Sequence, residues 1–230
     1  MMVDKTYTAS IDAIHDVRDG AVIMFGGFGL SGIPQNLIRA LYDKGTKGLT
    51  VISNNPGSRL KDDEYGLAVL FKAGRVKKFI GSFPTATKSF KELYDRGVVE
   101  LELIPQGTLA ERMRAKGAGI GGFYVKTGAG TLLAQGKESR VIDGEQYILE
   151  RPLGADFAFV KAFRGDRYGN LVYRYTGANF NPAMAMAADV TIAEVEELLE
   201  PGGLAPETVH TPGIFVDRIV KGERYDRWYE

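Results

Sequence analysis

Cysteine is absent from the 230 residues, and its absence removes disulfides, thiolate nucleophiles and thiolate-bound zinc. Histidine is nearly absent. His15 and His210 are the only two, too few and too far apart in sequence for a histidine metal cluster or a Ser-His-Asp triad, and no metal is expected. Charge of one sign is also missing, because 29 Lys+Arg meet 29 Asp+Glu. With no net field to attract a polyanion, a nucleic-acid partner is not expected. No apolar run approaches the roughly 18 residues of a membrane-crossing helix, so no membrane partner is expected either. The N-terminal MMVDKTYTAS lacks the apolar centre of a secretory leader, and the expected compartment is the cytoplasm.

What is present is globular. A hydrophobic fraction of 44% is enough for a real core. Short β runs alternate with helical patterns through the first half. Ala21–Phe25 reads as a buried strand ending in glycines. Pro34 opens a helix with Leu37, Ile38, Leu41 and Tyr42 at helical spacing, and Gly45 stops it. Leu49–Ser53 and Lys77–Ser82 read as strands, Tyr65–Ala73 and Thr87–Asp95 as helices. Val99, Leu101 and Leu103 alternate with Glu100 and Glu102, the period of a strand buried on one side. This rhythm predicts an α/β fold, an open and mostly parallel sheet flanked by helices. Glycines crowd the chain after Lys116, and Asp143-Gly144 between two β runs is a hairpin signal. Phe157–Phe163, Leu171–Tyr175, Val190–Val195 and Ile214–Ile219 read as later strands. The expected organisation is one domain over 1–230 with a β-rich insertion around 117–150.

The most informative segment follows the first apolar strand: Gly26-Gly27-Phe28-Gly29-Leu30-Ser31-Gly32, then Ile33-Pro34. Gly27-x-Gly29-x-x-Gly32 has dinucleotide-binding spacing between a strand and a helix, which on its own would point to an NAD-linked oxidoreductase. Two features oppose that reading. The second strand ends in Ser53-Asn54-Asn55, where that fold wants an acid for the ribose, and Phe28 would crowd a pyrophosphate. A tight turn would explain some of the glycines. A loop with backbone N–H groups aimed at a ligand from a helix start would explain more. Gln106 follows Val99–Ile104 and precedes a helix, at the carboxyl edge of the expected sheet, where its amide can donate without changing charge. A solvated turn glutamine is the plain alternative. Asn54 and Asn55 also end a strand, and they either bind a substrate carboxylate or carbonyl or shape a turn with Pro56-Gly57. Thr108-x-x-Glu111 reads as a capping box, so Glu111 is assigned to structure. Lys72, Arg75, Lys77 and Lys78 read as a solvated basic face.

The string Asp19-Gly20-x-x-Ile23-Met24-Phe25-Gly26-Gly27-Phe28-x-x-x-Gly32-x-Pro34 resembles the first signature of the family I CoA-transferases. So do Ser53-Asn54-Asn55, Pro105-Gln106-Gly107-Thr108-Leu109-Ala110-Glu111-Arg112, Lys116-Gly117-Ala118-Gly119, Lys161-Ala162, Gly165-Asp166-Arg167-x-Gly169-Asn170 and Ala178-Asn179-Phe180-Asn181. The resemblance runs in order from about Asp12 to the last strand and is to the α subunits acting on succinyl-CoA, 3-oxoacids such as acetoacetate, and 3-oxoadipate. That family's second signature, Ser-Glu-Asn-Gly on the β subunit, is absent here. The resemblance therefore implies a partner β subunit carrying the nucleophilic glutamate, in an α2β2 assembly. It implies acyl-CoA and carboxylate substrates and no cofactor, CoA thioester being itself a substrate. It implies Gln106 as an oxyanion donor alongside a β-subunit N–H. It assigns Gly26, Gly27, Phe28, Gly29, Leu30, Ser31, Gly32, Asn54 and Asn55 to the substrate and CoA site. The Gly117–Phe123 stretch resembles a loop near that family's active site. Two further alternatives are a sugar-phosphate isomerase, for which no acid-base pair is evident, and a non-catalytic protein that binds CoA esters.

Overall fold

The computed structural model describes residues 3–226; Met1, Met2 and 227–230 of the expected 1–230 domain lie outside the described residues. The first half contains β1 (Thr6–Tyr7), α1 (Ser10–Ala13), β2 (Val22–Phe25), α2 (Gln35–Lys44) and β3 (Leu49–Ile52). It continues with β4 (Ser58–Leu60), β5 (Asp63–Tyr65), α3 (Ala68–Lys72), β6 (Val76–Gly81), α4 (Lys88–Asp95), β7 (Glu100–Leu103) and α5 (Gln106–Gly117). The second half contains β8 (Phe123–Val125), β9 (Ser139–Ile142), β10 (Glu145–Glu150), β11 (Ala155–Asp166) and β12 (Leu171–Val172). It ends with α6 (Asn181–Ala185), β13 (Ala188–Leu199) and β14 (Arg218–Lys221).

The main sheet has the order β1-β14-β13-β11-β2-β3-β6-β7, with every pairing along that path parallel; β12 joins β11 antiparallel. Parallel strands need cover on both faces, and the side-chain alternation supplies it. In β2, Ile23 and Phe25 enter one buried cluster and Met24 the other. The first cluster takes in the apolar faces of α2, α3 and α4, with Phe71, Phe79 and Phe90 packed edge to face. The second is closed by Leu109 and Met113 of α5 and Met184 of α6. Leu37 and Leu41 of α2 are fully buried, and truncating either to Ala should cost about 2–5 kcal/mol. Gly45 ends α2 in the left-handed region (φ 79°), as its place in the sequence predicts.

Three expected elements differ. Tyr65–Ala73 is not one helix: β4 and β5 form a small antiparallel hairpin and the helix is only Ala68–Lys72. Gly66 (φ 67°) makes the break between them, which an uninterrupted helix does not tolerate. Ile214–Ile219 begins as a 3-10 turn, Gly213–Phe215, before β14. Leu171–Tyr175 pairs only over Leu171–Val172, and Tyr173 N–H then donates to His210 instead of a ladder. Within 117–150 the chain forms a separate three-stranded sheet, β8-β10-β9, whose β9–β10 turn has Asp143 at φ 50° and Gly144 at φ 78°. No helix among the described residues is long and apolar enough to cross a membrane.

Candidate active site

The sheet reverses its winding between β2 and β11. Later strands step outward through β3, β6 and β7 on one side and through β13 and β14 on the other. Open α/β sheets bind ligands outside the carboxyl ends of their strands at such a point. Since β2, β3, β6 and β7 are parallel, their carboxyl ends deliver Gly26, Ser53, Ser82 and Ile104 to one edge. Ser53 Oγ donates to Phe25 O at 3.0 Å, and the N–H groups of Ser82 and Phe83 both donate to Asn54 O, at 3.1 and 2.9 Å.

The glycine loop after β2 is a small hairpin. Phe28 N–H donates to Ser31 O and Ser31 N–H to Phe28 O, both at 3.0 Å. Gly29, at φ 61°, holds the first central turn position, where a type II′ turn demands positive φ. Leu30 is buried, while Phe28 is 51% exposed on the site edge. Two asparagines clamp this hairpin from the far side. Asn179 Oδ1 accepts from Gly27 N–H at 3.0 Å, and its amide donates to Ser31 O at 3.1 Å. Asn181, fully buried, accepts from Lys161 N–H at 2.8 Å and donates to Gly32 O at 3.0 Å. The glycines permit the contact: a Cβ on Gly26 would lie 1.8 Å from Asn181 Oδ1, and one on Gly27 2.3 Å from Ile33 Cγ2.

This arrangement corrects one expectation. Four of the loop N–H groups, those of Gly26 to Gly29, are already engaged and not held ready for a ligand. Gly26 N–H goes to Phe159 O, Gly27 to Asn179, Phe28 to Ser31 and Gly29 to Asn55. The first turn of α2 is filled as well. Glu194 of β13 accepts from Asn36 N–H at 2.8 Å, from Leu37 N–H at 2.9 Å and from the Asn36 amide at 3.0 Å. Its own carboxylate occupies the place where a dinucleotide phosphate would sit in the GxGxxG reading. The loop therefore offers the exposed Phe28 and the half-buried backbone of Gly29, Ser31 and Gly32.

Across from it, three side-chain amides run in series. Gln106, the first residue of α5, donates from Nε2 to Asn54 Oδ1 at 2.7 Å. Asn54 donates from Nδ2 to Asn55 Oδ1 at 3.0 Å. Asn55 Oδ1 also accepts Gly29 N–H at 3.0 Å, and its Nδ2 donates to Gly57 O at 2.7 Å. Asn54 and Asn55 are buried and Gln106 is exposed at the edge. The sequence-predicted residues thus meet at one edge, but Asn55 has its amide committed to protein groups around the loop.

The helix carrying Gln106 starts earlier than a capping box would place it. Pro105 is the N-cap and Thr108 lies inside the first turn, so Thr108 and Glu111 do not form the expected box. Glu111 instead pairs with Arg114 at 2.8 Å on the exposed face. Pro105 overrides the pattern because its fixed φ (−54°) starts the helix at the next residue. Of the basic cluster, Lys72 pairs with Glu64 at 3.5 Å and Lys78 with Glu102 at 2.8 Å. Sequence reasoning missed Asn179, Asn181 and Glu194 as the supports of the loop. A glutamate inside the apolar run Thr191–Val195 was the available signal for the last of these.

The family model described as Coenzyme A transferase matches residues 7–222. The chain is 53% identical over 221 residues to the α subunit of the 3-oxoadipate CoA-transferase of Pseudomonas putida, covering 95% of this chain and 94% of that protein. It is 46% identical over 228 residues to the α subunit of the succinyl-CoA:3-ketoacid coenzyme A transferase of Helicobacter pylori, covering 99% and 97%. In fold it is similar to an acyl-CoA transferase of Escherichia coli O157:H7, solved as a thioester complex with CoA. The TM-score is 0.85 at 22% identity, over 98% of this chain and 48% of that one, so it spans about half of the solved chain.

Proposed function

The chain belongs to the coenzyme A transferase family, as an α subunit, and on that premise we propose that it moves CoA from succinyl-CoA to a 3-oxoacid together with a partner β subunit that supplies the covalent glutamate. The observation that carries the reading is the meeting of Gln106, Asn54, Asn55 and the glycine hairpin at the carboxyl edge of four parallel strands. The partner's carboxylate attacks the thioester carbonyl, releasing CoA thiolate and leaving an acyl-glutamyl anhydride. The thiolate then attacks the glutamyl carbonyl, expels succinate and leaves a glutamyl thioester. The 3-oxoacid carboxylate repeats the two steps in reverse, and the glutamate is regenerated. This is ping-pong covalent catalysis, and CoA is a substrate, so no cofactor is called for.

Each addition puts negative charge on a former carbonyl oxygen. Gln106 has one Nε2 hydrogen engaged by Asn54 and a second available for that oxygen, with the positive end of α5 behind it. One such donor lowers the barrier by about 2.7–4 kcal/mol. The glycine hairpin, with its small backbone surface and the Phe28 ring, is suited to lie against an acyl-CoA chain. The acceptor acid is acetoacetate or 3-oxoadipate, which differ in pocket contacts worth only a few kcal/mol. The assembly is α2β2 in the cytoplasm. The experiment mixes this chain with a β subunit carrying the Ser-Glu-Asn-Gly signature and follows CoA exchange between succinyl-CoA and acetoacetate or 3-oxoadipate. Exchange should require both chains; full exchange by this chain alone would refute the reading.

A further inference from the structure

We propose that Asn54 is a positioning residue: it fixes which end of the Gln106 amide faces the reacting oxygen, and it takes its own sense from the backbone of the glycine loop through Asn55. The inference rests on the proposed role of Gln106 and adds how that role is enforced.

Backbone polarity cannot be reversed, and here it sets the sense of every amide in the series. Gly29 presents an N–H, so the atom of Asn55 that meets it at 3.0 Å must be its acceptor oxygen. Gly57 presents a carbonyl, so the atom of Asn55 that meets it at 2.7 Å must be the donor nitrogen. Asn55 is thus fixed in one sense by two backbone groups of opposite kind. Its oxygen also faces Asn54, which must answer with a donor, and Asn54 Nδ2 lies 3.0 Å away. That choice turns Asn54 Oδ1 toward Gln106, which must in turn answer with its nitrogen, at 2.7 Å. Three amides, each able to flip in isolation, are set by one peptide N–H and one peptide carbonyl.

The consequence falls on charge. An amide flipped by half a turn swaps a donor for an acceptor of nearly the same shape. With Nε2 held against Asn54, its second hydrogen is the group beside the relay. In the flipped state Gln106 would aim its carbonyl oxygen at that same region and repel a developing oxyanion. Gln106 is exposed at the edge, so burial alone does not choose between the two states. Asn54, 2% exposed, does. A relay of this kind orients a catalytic group from behind, without touching substrate.

The test uses the complete two-subunit enzyme and a double-mutant cycle. Asn54→Ala should lower kcat by about 10- to 100-fold, the range for freeing one donor's orientation, with the KM for acyl-CoA changed less than about threefold. Gln106→Ala should lower kcat further, and Asn54→Ala/Gln106→Ala should match Gln106→Ala within about threefold, because Asn54 acts only through Gln106. A double mutant that loses the product of the two single effects would overturn the proposal, since Asn54 would then act by another route. So would Asn54→Ala with normal kcat beside an impaired Gln106→Ala, which removes the positioning role alone. Normal kcat in Gln106→Ala would remove the oxyanion reading itself, and the role of Asn54 with it. If Asn54→Ala does not fold, the wild-type enzyme decides through the side-chain amide signals of Gln106. One Nε2 proton should exchange with solvent measurably more slowly than the other. Two protons exchanging alike, at the rate of a free amide, would overturn the relay.

Discussion

Glu194 Oε2 accepts the backbone N–H of Leu37 at 2.9 Å, so a strand carboxylate sits inside the first turn of the helix that follows the glycine loop. Full burial pushes its pKa from 4.5 up to about 7, against the Leu37 and Asn36 donors that favour the charged form. The native protein therefore holds a proton that the unfolded chain releases between those values. The stability linked to this group is complete below about pH 4.5 and is lost as the pH rises through about 7. The size of the shift corresponds to about 3 kcal/mol. Denaturant melts of the wild type should show lower stability at pH 8 than at pH 5. In Glu194→Gln, already neutral, that slope should flatten, whatever the variant's overall stability. The carboxylates whose pKa is lowered, Asp4, Asp16, Glu64, Glu102 and Glu138, titrate below this window and do not mask it. An unchanged slope in Glu194→Gln would assign the pH dependence elsewhere.

The glycine loop makes a steric prediction. Gly26→Ala drives a methyl to 1.8 Å from Asn181 Oδ1, and Gly27→Ala combines φ 120° with a methyl 2.3 Å from Ile33. Each should lose stability by about 1–3 kcal/mol and exchange activity with it. Gly107→Ala is the contrast. Its Cβ meets nothing within 4 Å and the residue lies inside α5, so thermal melts should show it neutral or more stable by up to about 1 kcal/mol.

The clamp predicts a local effect without a global one. Asn179→Ala removes the acceptor for Gly27 N–H and the donor to Ser31 O. Native-state hydrogen exchange at Gly27 should speed by about tenfold or more, while Ile23 and Met24 in β2 keep their protection. Unchanged exchange at Gly27 would mean that Asn179 does not hold the loop.

Much of this was legible in the sequence, for reasons specific to each element. Ala21–Phe25 and Leu49–Ser53 carry apolar runs, and a parallel sheet leaves such runs little choice. Val99–Leu103 is a strand as its alternation predicts, but it lies at the sheet edge and Leu103 is exposed rather than on a buried side. Asp143-Gly144 fixes its hairpin locally. The place of Gln106 at the carboxyl edge was legible because a strand followed at once by a helix marks that edge. The two asparagine supports were not legible. Asn179 and Asn181 reach the loop from about 150 positions away, and nothing local to Ala178–Asn181 shows that its amides end on Gly27 and Gly32. The β4–β5 hairpin was hidden because Ser58–Tyr65 is polar, and Glu111 was misread as a cap because Pro105 starts the helix three residues earlier than Thr108.

Glu111 now carries a different prediction. Exposed and paired only with Arg114, it should lose no more than about 0.5 kcal/mol on Glu111→Ala, and kcat should stay at the wild-type level. A stability loss above about 1 kcal/mol in a denaturant melt would restore a capping role.

In the proposed reaction Gln106 donates to the oxygen that gains charge as CoA changes partners. The direct measurement is steady-state CoA exchange by the complete two-subunit enzyme carrying Gln106→Ala. The expected kcat is lower by about 10²–10³, with the KM for acyl-CoA changed far less, because the lost bond belongs to the transition state. Gln106→Glu, which sets a negative charge beside the oxyanion, should be at least as damaging. A folded Gln106→Ala enzyme with wild-type kcat would rule out Gln106 as the oxyanion donor.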